Sequence, residues 1–350
     1  MPVTPETSAR MRRDALRLFA DAADTRPVHF VGVAGAGMSA LAELFVRRGL
    51  RVTGSDMSPA GNADLEALGV VVHRGHDAAH VDGARAIVAS SAIAPEHPEL
   101  ARATALGLPV IRRAEALGAA VDGLHVVGVA GTHGKTTTTV MTTEALASAG
   151  RAPTGIVGGR VQAWGGNLRW GGGDTVVVEA DEYDRSFLAL HPTVATITNV
   201  EADHLDIYDD LADIERTFAE YASRARHVVR CMDDAGAARV PVAADANVIG
   251  YGLVPRDGTR LLGTVAGDLL EVRMDGVMLG TLALRVPGDH NRRNALAALG
   301  AGLALGATFD GLRPGLEAFG GVERRFERKG EAGGVLVIDD YAHHPTELRA

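Results

Sequence analysis

The sequence predicts an α/β protein in which helices pack on the faces of parallel sheets. Two observations lead there. Short apolar runs alternate with helical stretches along most of the chain. Twice, an apolar run passes through a glycine turn straight into a helix, at GVAGAGMSA (32–40) and at VAGTHGKTTTT (129–139).

Taken in order, MRRDALRLFADAADTRP (11–27) predicts a short amphipathic helix in an N-terminal extension, residues 1–25. Its Asp14, Asp21 and Asp24, and the lack of an apolar stretch, exclude a targeting peptide. VHFVGV (28–33) predicts a buried strand, SALAELFVRRG a helix and LRVTGSD (50–56) a second strand. Alternation continues through VVVHRG, ARAIVASSAI and LPVIRR and stops near Val121, which bounds a first domain at 26–121. LHVVGVAG opens a second series, assigned to 122–326. TVVVEAD (175–181) and TVATITN (193–199) predict buried strands that end in polar residues. DGTR and DGVM, between alternating strands at about 250–286, predict hairpin turns. The run from Asn294 to Phe309 predicts one buried helix, and GGVLVIDDYAHHP (333–345) a further strand and loop.

Composition narrows the classes. A chain of 350 residues suits two or three domains. Its single cysteine, Cys231, excludes an intramolecular disulfide and fits a reducing, cytoplasmic setting. No apolar run has the length of a membrane span, so no membrane insertion is expected. A net charge of −9 argues against nucleic acid as the partner. Of 35 basic residues only Lys135 and Lys329 are lysine, and Lys135 stands in the second glycine loop. A slim ammonium serves a phosphate loop where a planar guanidinium does not.

The first loop, Gly35-Ala-Gly37-Met38-Ser39-Ala40, fits the dinucleotide fingerprint, with Asp56 about 20 residues on to reach a ribose hydroxyl. Any nucleotide diphosphate satisfies it, NAD included, and a bare structural turn remains open. The second, Gly131-Thr132-His133-Gly134-Lys135-Thr136, offers backbone N–H donors, an ammonium for the β/γ-phosphates of ATP or GTP, and a hydroxyl for Mg²⁺. It departs from the usual pattern, with Val129 at the first glycine position. Glu179 and His204, at or just past the ends of strands in this domain, are candidate metal ligands with Thr136.

Nine blocks in order resemble the Mur ligases of peptidoglycan synthesis. They are GVAGAGMSALAE, SSAI, IRRAE, AGTHGKTTTT, EADEYDRSFL, TNVEADHLDIY, PGDHNRRNALAA, ERRFE and DDYAHHPTE. His133 and the last block lean towards the members that load L-alanine. The resemblance implies a Rossmann-like first domain for a UDP-sugar, a P-loop ATPase-like central domain, and at 327–350 the start of a third, Rossmann-like domain for the amino acid. It implies an ATP- and Mg²⁺-dependent ligase joining L-alanine to the lactyl carboxylate of UDP-N-acetylmuramate through an acyl phosphate. A ligase adding a ready-made peptide, and an NAD-dependent dehydrogenase, are the alternatives.

By residue, the resemblance implies Gly35, Gly37, Met38, Ser39, Asp56, Ser91 and Arg113 on the UDP-sugar. For ATP it implies the loop with Thr137, then Asn291, Asn294 and Asp340, and Arg325 of ERRFE at the γ-phosphate. Lys135, Glu179, His204 and Arg325 form the catalytic set, and Tyr341, His343 and His344 face the amino acid. No lysine lies between 135 and 329, so the carbamylated lysine of sister enzymes has no counterpart there. Because the chain stops at Ala350, most of the third domain is expected to be missing and ligation to be poor. A monomer or homodimer is expected.

Overall fold

The structure is a computed structural model that describes residues 5–58, 62–342, 344, 348 and 349. It divides into two compact units: 1–123 with 166–170 and 189–191, and the remainder of 124–350.

The first unit opens with helix α1 (Pro5–Ala20), followed by β1 (Val28–Val31), α2 (Ala36–Arg47), β2 (Val52–Asp56), α3 (Asn62–Ala67) and β3 (Val71–Arg74). β4 (Ala86–Ala89), α4 (Pro98–Ala105), β5 (Val110–Arg112) and α5 (Arg113–Ala120) complete it. The sheet order is β3-β2-β1-β4-β5, and every pair is parallel. Each residue of β1 and β4 is buried, as expected of central strands covered on both faces. Phe45 of α2 sits edge-on to Phe30 of β1 at 5.4 Å and to Phe19 of α1 at 4.7 Å. Strand order reverses between β1 and β4, which leaves a crevice beyond their carboxyl ends.

The second unit is built on β6 (His125–Ala130), α6 (Lys135–Ser148) and β7 (Thr154–Val161). β8 (Gly166–Arg169) falls within a segment that counts with the first unit. There follow β9 (Thr175–Glu179), β10 (Val194–Ile197), α7 (Leu211–Ala222), β11 (His227–Cys231), α8 (Ala235–Arg239) and β12 (Asn247–Gly252). β13 (Thr259–Ala266), β14 (Leu269–Met274), β15 (Val277–Leu282), α9 (Asp289–Ala304) and α10 (Phe309–Ala318) come next. β16 (Glu327–Ala332) and β17 (Val335–Asp339) end the unit. The large sheet runs β15-β14-β13-β12-β11-β10-β6-β9-β7, parallel from β7 to β13 and antiparallel beyond. β6 is therefore flanked by β9 and β10, so their carboxyl ends surround the loop that leaves β6.

The threonine-rich helix α6 is buried although its hydroxyls are polar. Thr142 and Thr143 donate to the carbonyls of Thr138 and Thr139 at 2.7 Å, so the side chains need no outside acceptor.

Three sequence expectations change here. DGTR is not a hairpin turn: it leads into β13, which pairs in parallel with β12 (Tyr251↔Leu261). The tight hairpin lies one connection later, between the antiparallel β13 and β14. DGVM does form a hairpin, with Asp275 and Gly276 both at positive φ between β14 and β15. The run from Asn294 to Phe309 is not one helix. α9 ends at Ala304, Gly306 takes φ +80, and the Thr308 side chain caps α10 by accepting from Gly311 N. β16, which had no sequence signal, forms because Val335–Asp339 needs an antiparallel partner.

Candidate active site

In the second unit the phosphate loop leaves β6 at Ala130 and enters α6 at Lys135. Gly134 takes φ +78, and a Cβ there would stand 2.7 Å from Asn294 Oδ1, so only glycine fits. The loop is held by the end of β10. His133 N donates to Asn199 Oδ1 at 2.7 Å, Asn199 Nδ2 donates to the His133 carbonyl at 3.1 Å, and Thr198 Oγ1 donates to the same carbonyl at 2.6 Å. Glu201 N donates to Thr132 Oγ1 at 2.9 Å. The backbone is thus preformed.

Lys135 turns back over its loop. Its Nζ donates to the Gly131 carbonyl at 2.8 Å and to both carboxylate oxygens of Glu182 at 2.8 Å. Glu182 is buried, and Tyr208 Oη donates to its backbone carbonyl at 2.6 Å. Burial works against the charge on Lys135, but the carboxylates of Glu182, Asp181 and Glu179 outweigh it and hold the ammonium above its ordinary pKa. Glu182 was not among the expected site residues. It stands in EADEYD among three other acids, and nothing in the sequence separates it from them.

Thr136 Oγ1 donates to Glu179 Oε1 at 3.0 Å, and Gly158 N donates to Glu179 Oε2 at 2.8 Å. A hydroxyl and a carboxylate side by side at a helix N-terminus are hard oxygen donors of the kind Mg²⁺ takes. His204 takes φ +53, with Nε2 3.9 Å from Glu182 Oε1 and its ring edge-on to Tyr183. The same nitrogen stands 3.7 Å from Asp203 Oδ2.

A cavity of about 770 Å³ opens beside the loop. It brings together His133, Gly134, Thr136, Thr137, Asn291, Asn294, Arg325 and Asp340 from the expected set. Asp233, Arg293 and Tyr251, which sequence reading missed, also line it. Asp233 accepts from Leu253 N at 2.8 Å and from Arg293 Nε at 3.0 Å, an arrangement that forms only once β11, β12 and α9 are packed. Asn291 Nδ2 donates to the Pro287 carbonyl at 2.7 Å at the start of α9. Asp340 accepts from Phe326 N and Ala342 N at 2.7 Å. Tyr341 lies under the guanidinium groups of Arg324 and Arg325, at 4.8 and 5.6 Å. The His344 ring is 4.6 Å from that of His133, and both approach Glu201 at 3.7 Å. His343 lies outside the described residues.

In the first unit, Gly35 precedes α2 and Gly37 faces Arg113, whose Nη1 would be 3.0 Å from a Cβ there. The turn itself is made by Gly32 at φ +78, whereas Gly35 has φ −60. Met38 is buried, with its N–H bonded to the Gly35 carbonyl, and Ser39 Oγ donates to the Ala36 carbonyl at 3.0 Å. Asp56 ends β2, accepting from Ala34 N and Ser58 N at 2.9 Å. Ser91 is exposed in the turn after β4. No described helix is long and apolar enough to cross a membrane.

Known proteins resemble this chain in sequence and fold. The UDP-N-acetylmuramate–L-alanine ligase of Salinibacter ruber is 46% identical over 334 residues, spanning 93% of this chain and 70% of that one. That of Koribacter versatilis is 44% identical over 338 residues, spanning 92% and 72%. Among solved structures, the UDP-N-acetylmuramate–alanine ligase of Thermotoga maritima superposes with TM-score 0.80 at 30% identity, covering 93% of this chain and 76% of that one. A murein peptide ligase from Psychrobacter arcticus superposes with TM-score 0.79 at 25% identity, covering 92% and 74%. Residues 27–124 match the Mur ligase family, catalytic domain, and residues 129–302 the Mur ligase middle domain. With a preformed phosphate loop on the second sheet and these matches along most of its length, the chain belongs to the Mur ligase family.

Proposed function

We propose that this protein is an ATP-dependent ligase that joins L-alanine to the lactyl carboxylate of UDP-N-acetylmuramate in peptidoglycan synthesis. The observation that carries the reading is the loop Gly131–Thr136, clamped by Asn199 and lying beside a nucleotide-sized cavity. The identity of 44–46% to enzymes named for this reaction supports the choice of substrates.

The lactyl carboxylate attacks the γ-phosphorus of ATP, ADP leaves, and an acyl phosphate results. The alanine amine then attacks the acyl carbon and phosphate departs. Two anions must meet in the first step, so positive charge has to be in place beforehand. Lys135 supplies it from the loop once its ammonium moves from Glu182 to the phosphates. Arg325, on the cavity wall, is suited to the γ-phosphate. Thr136 and Glu179 would hold Mg²⁺, which when bound supplies neutralisation of the phosphate oxygens. His204 is assigned with them to the metal, its Nε2 standing 3.9 Å from Glu182 Oε1. Asn291, Asn294 and Asp340 are assigned to the nucleoside, and Tyr341 and His344 to the amino-acid side. Gly35, Gly37, Ser39, Asp56, Ser91 and Arg113 are assigned to the UDP-sugar, with Met38 contributing only backbone.

Calorimetric titration with UDP-N-acetylmuramate and, separately, with NADH tests the reading. Saturable binding of the UDP-sugar without NADH binding, and ADP release from ATP that requires the UDP-sugar, are expected. Binding of NADH in its place would overturn it.

A further inference from the structure

Five of the thirteen histidines gather around one buried carboxylate in the first unit, a cluster built from residues other than those assigned above and bordering Asp56 through Ser55 and Gly75. Glu99, on the first turn of α4, is fully buried. His80 Nδ1 lies 2.8 Å from its Oε1, and Ser55 Oγ donates to its Oε2 at 2.6 Å. His76 Nδ1 and His29 Nε2 stand 3.6 and 3.7 Å from the same Oε2. The His97 ring meets that of His76 edge-on at 4.4 Å, and His73 stacks on His80 at 4.3 Å.

The cluster is incomplete as a hydrogen-bonded network. Among the described residues, both ring nitrogens of His97 are buried without a hydrogen-bond partner, and so is Nε2 of the fully buried His29. Buried imidazole nitrogens left this way cost free energy, and a polar interior normally supplies a partner. A carboxylate buried among histidines, with two nitrogens and an oxygen converging, is also what a borderline cation needs. One ligand atom each from His76, His97 and Glu99 lies within 4.8 Å of the other two. A tetrahedral ion at about 2.0–2.1 Å from each ligand needs them roughly 3.3 Å apart, so the three side chains would close in on the ion as it binds.

We propose that His76, His97 and Glu99 bind one transition-metal cation of the zinc class. Ser55 and His80 orient the carboxylate, as outer hydrogen bonds do at metal centres. Three protein ligands leave one position for water. The ion ties the turn after β3 to the start of α4. Mg²⁺, which prefers an all-oxygen shell, does not compete for it. The inference does not depend on the proposed ligase activity.

The test is titration of the full chain with Zn²⁺ against a chromogenic chelator, in excess Mg²⁺, with the Co²⁺ absorption spectrum as a geometric readout. One ion per chain with the intense bands of four-coordinate Co²⁺ is expected. Losing a direct ligand should cost at least what losing an outer partner does, so His97→Ala and His97→Asn should each weaken Zn²⁺ on the order of 100-fold. Both should keep the unliganded protein's circular dichroism, and His125→Ala should leave the affinity unchanged. Absence of Zn²⁺ binding overturns the proposal. So does Zn²⁺ binding that His97→Ala leaves intact but His344→Ala abolishes, which would put the ion on the His133–Glu201–His344 group.

Discussion

Lys135 shows why a residue is not understood from its sequence neighbours alone. Its rarity marks it as special, but its partner Glu182 comes from 47 positions away. The pair is buried, so removing one member strands the other. Glu182→Gln is expected to lower the unfolding free energy by about 3 kcal/mol, read by urea denaturation, because Lys135 would lose its counter-charge. An unchanged midpoint would mean that the ammonium finds water or another acid. Cys231 offers a second residue-scale prediction. It lines the cavity yet is nearly inaccessible, and burial pushes its thiol up to about 11. A raised pKa depletes the reactive thiolate, leaving about one part in a thousand at pH 8. Alkylation should be very slow at pH 8, rise towards pH 11, and slow further when a nucleotide fills the cavity. Fast labelling at pH 8 would contradict this burial.

At the scale of elements, the phosphate loop is a joint between β6 and α6 that β10 and α9 lock from outside. Gly134 is held from the α9 side, facing Asn294 at positive φ. Gly134→Ala is expected to cost about 1–2 kcal/mol of stability and to weaken ATP binding at least about tenfold. Equilibrium denaturation and calorimetry would check both, and wild-type affinity would show that the loop relaxes freely. Strands were legible here because β1, β4, β9 and β10 are short, continuous apolar runs, the pattern of strands buried on both faces. The edge of the sheet was less so. Asp-Gly marks a turn in either case, and only pairing made one a hairpin and the other a parallel entry. Gly32 was missed as the turn glycine because several glycines lie close together and composition does not say which takes positive φ.

For the whole molecule, the proposed reading assigns the UDP-sugar and ATP to glycine loops on two separate sheets. Each ligand should protect its own unit in hydrogen exchange. A non-hydrolysable ATP analogue with Mg²⁺ should slow exchange at 131–137 and 290–294, and UDP-N-acetylmuramate at 32–40 and 90–93. At a ligand concentration of 100 times Kd the protection should approach about 2.7 kcal/mol. Protection of the first loop by the ATP analogue instead would exchange the two assignments.

The sequence by itself determined the α/β class, the two strand–loop–helix openings and the family, because these rest on local periodicity and contiguous motifs. Thr198 and Asn199 clamping His133, Glu182 holding Lys135, and Asp233 tied to Arg293 were decided by tertiary structure alone. Each joins residues from different strands and helices, and their distances are set by how the elements pack. The histidine cluster around Glu99 belongs with them: His29 and His76 are far apart along the chain, and only the parallel order of β1, β2 and β3, with Glu99 at the start of α4, brings them to one carboxylate.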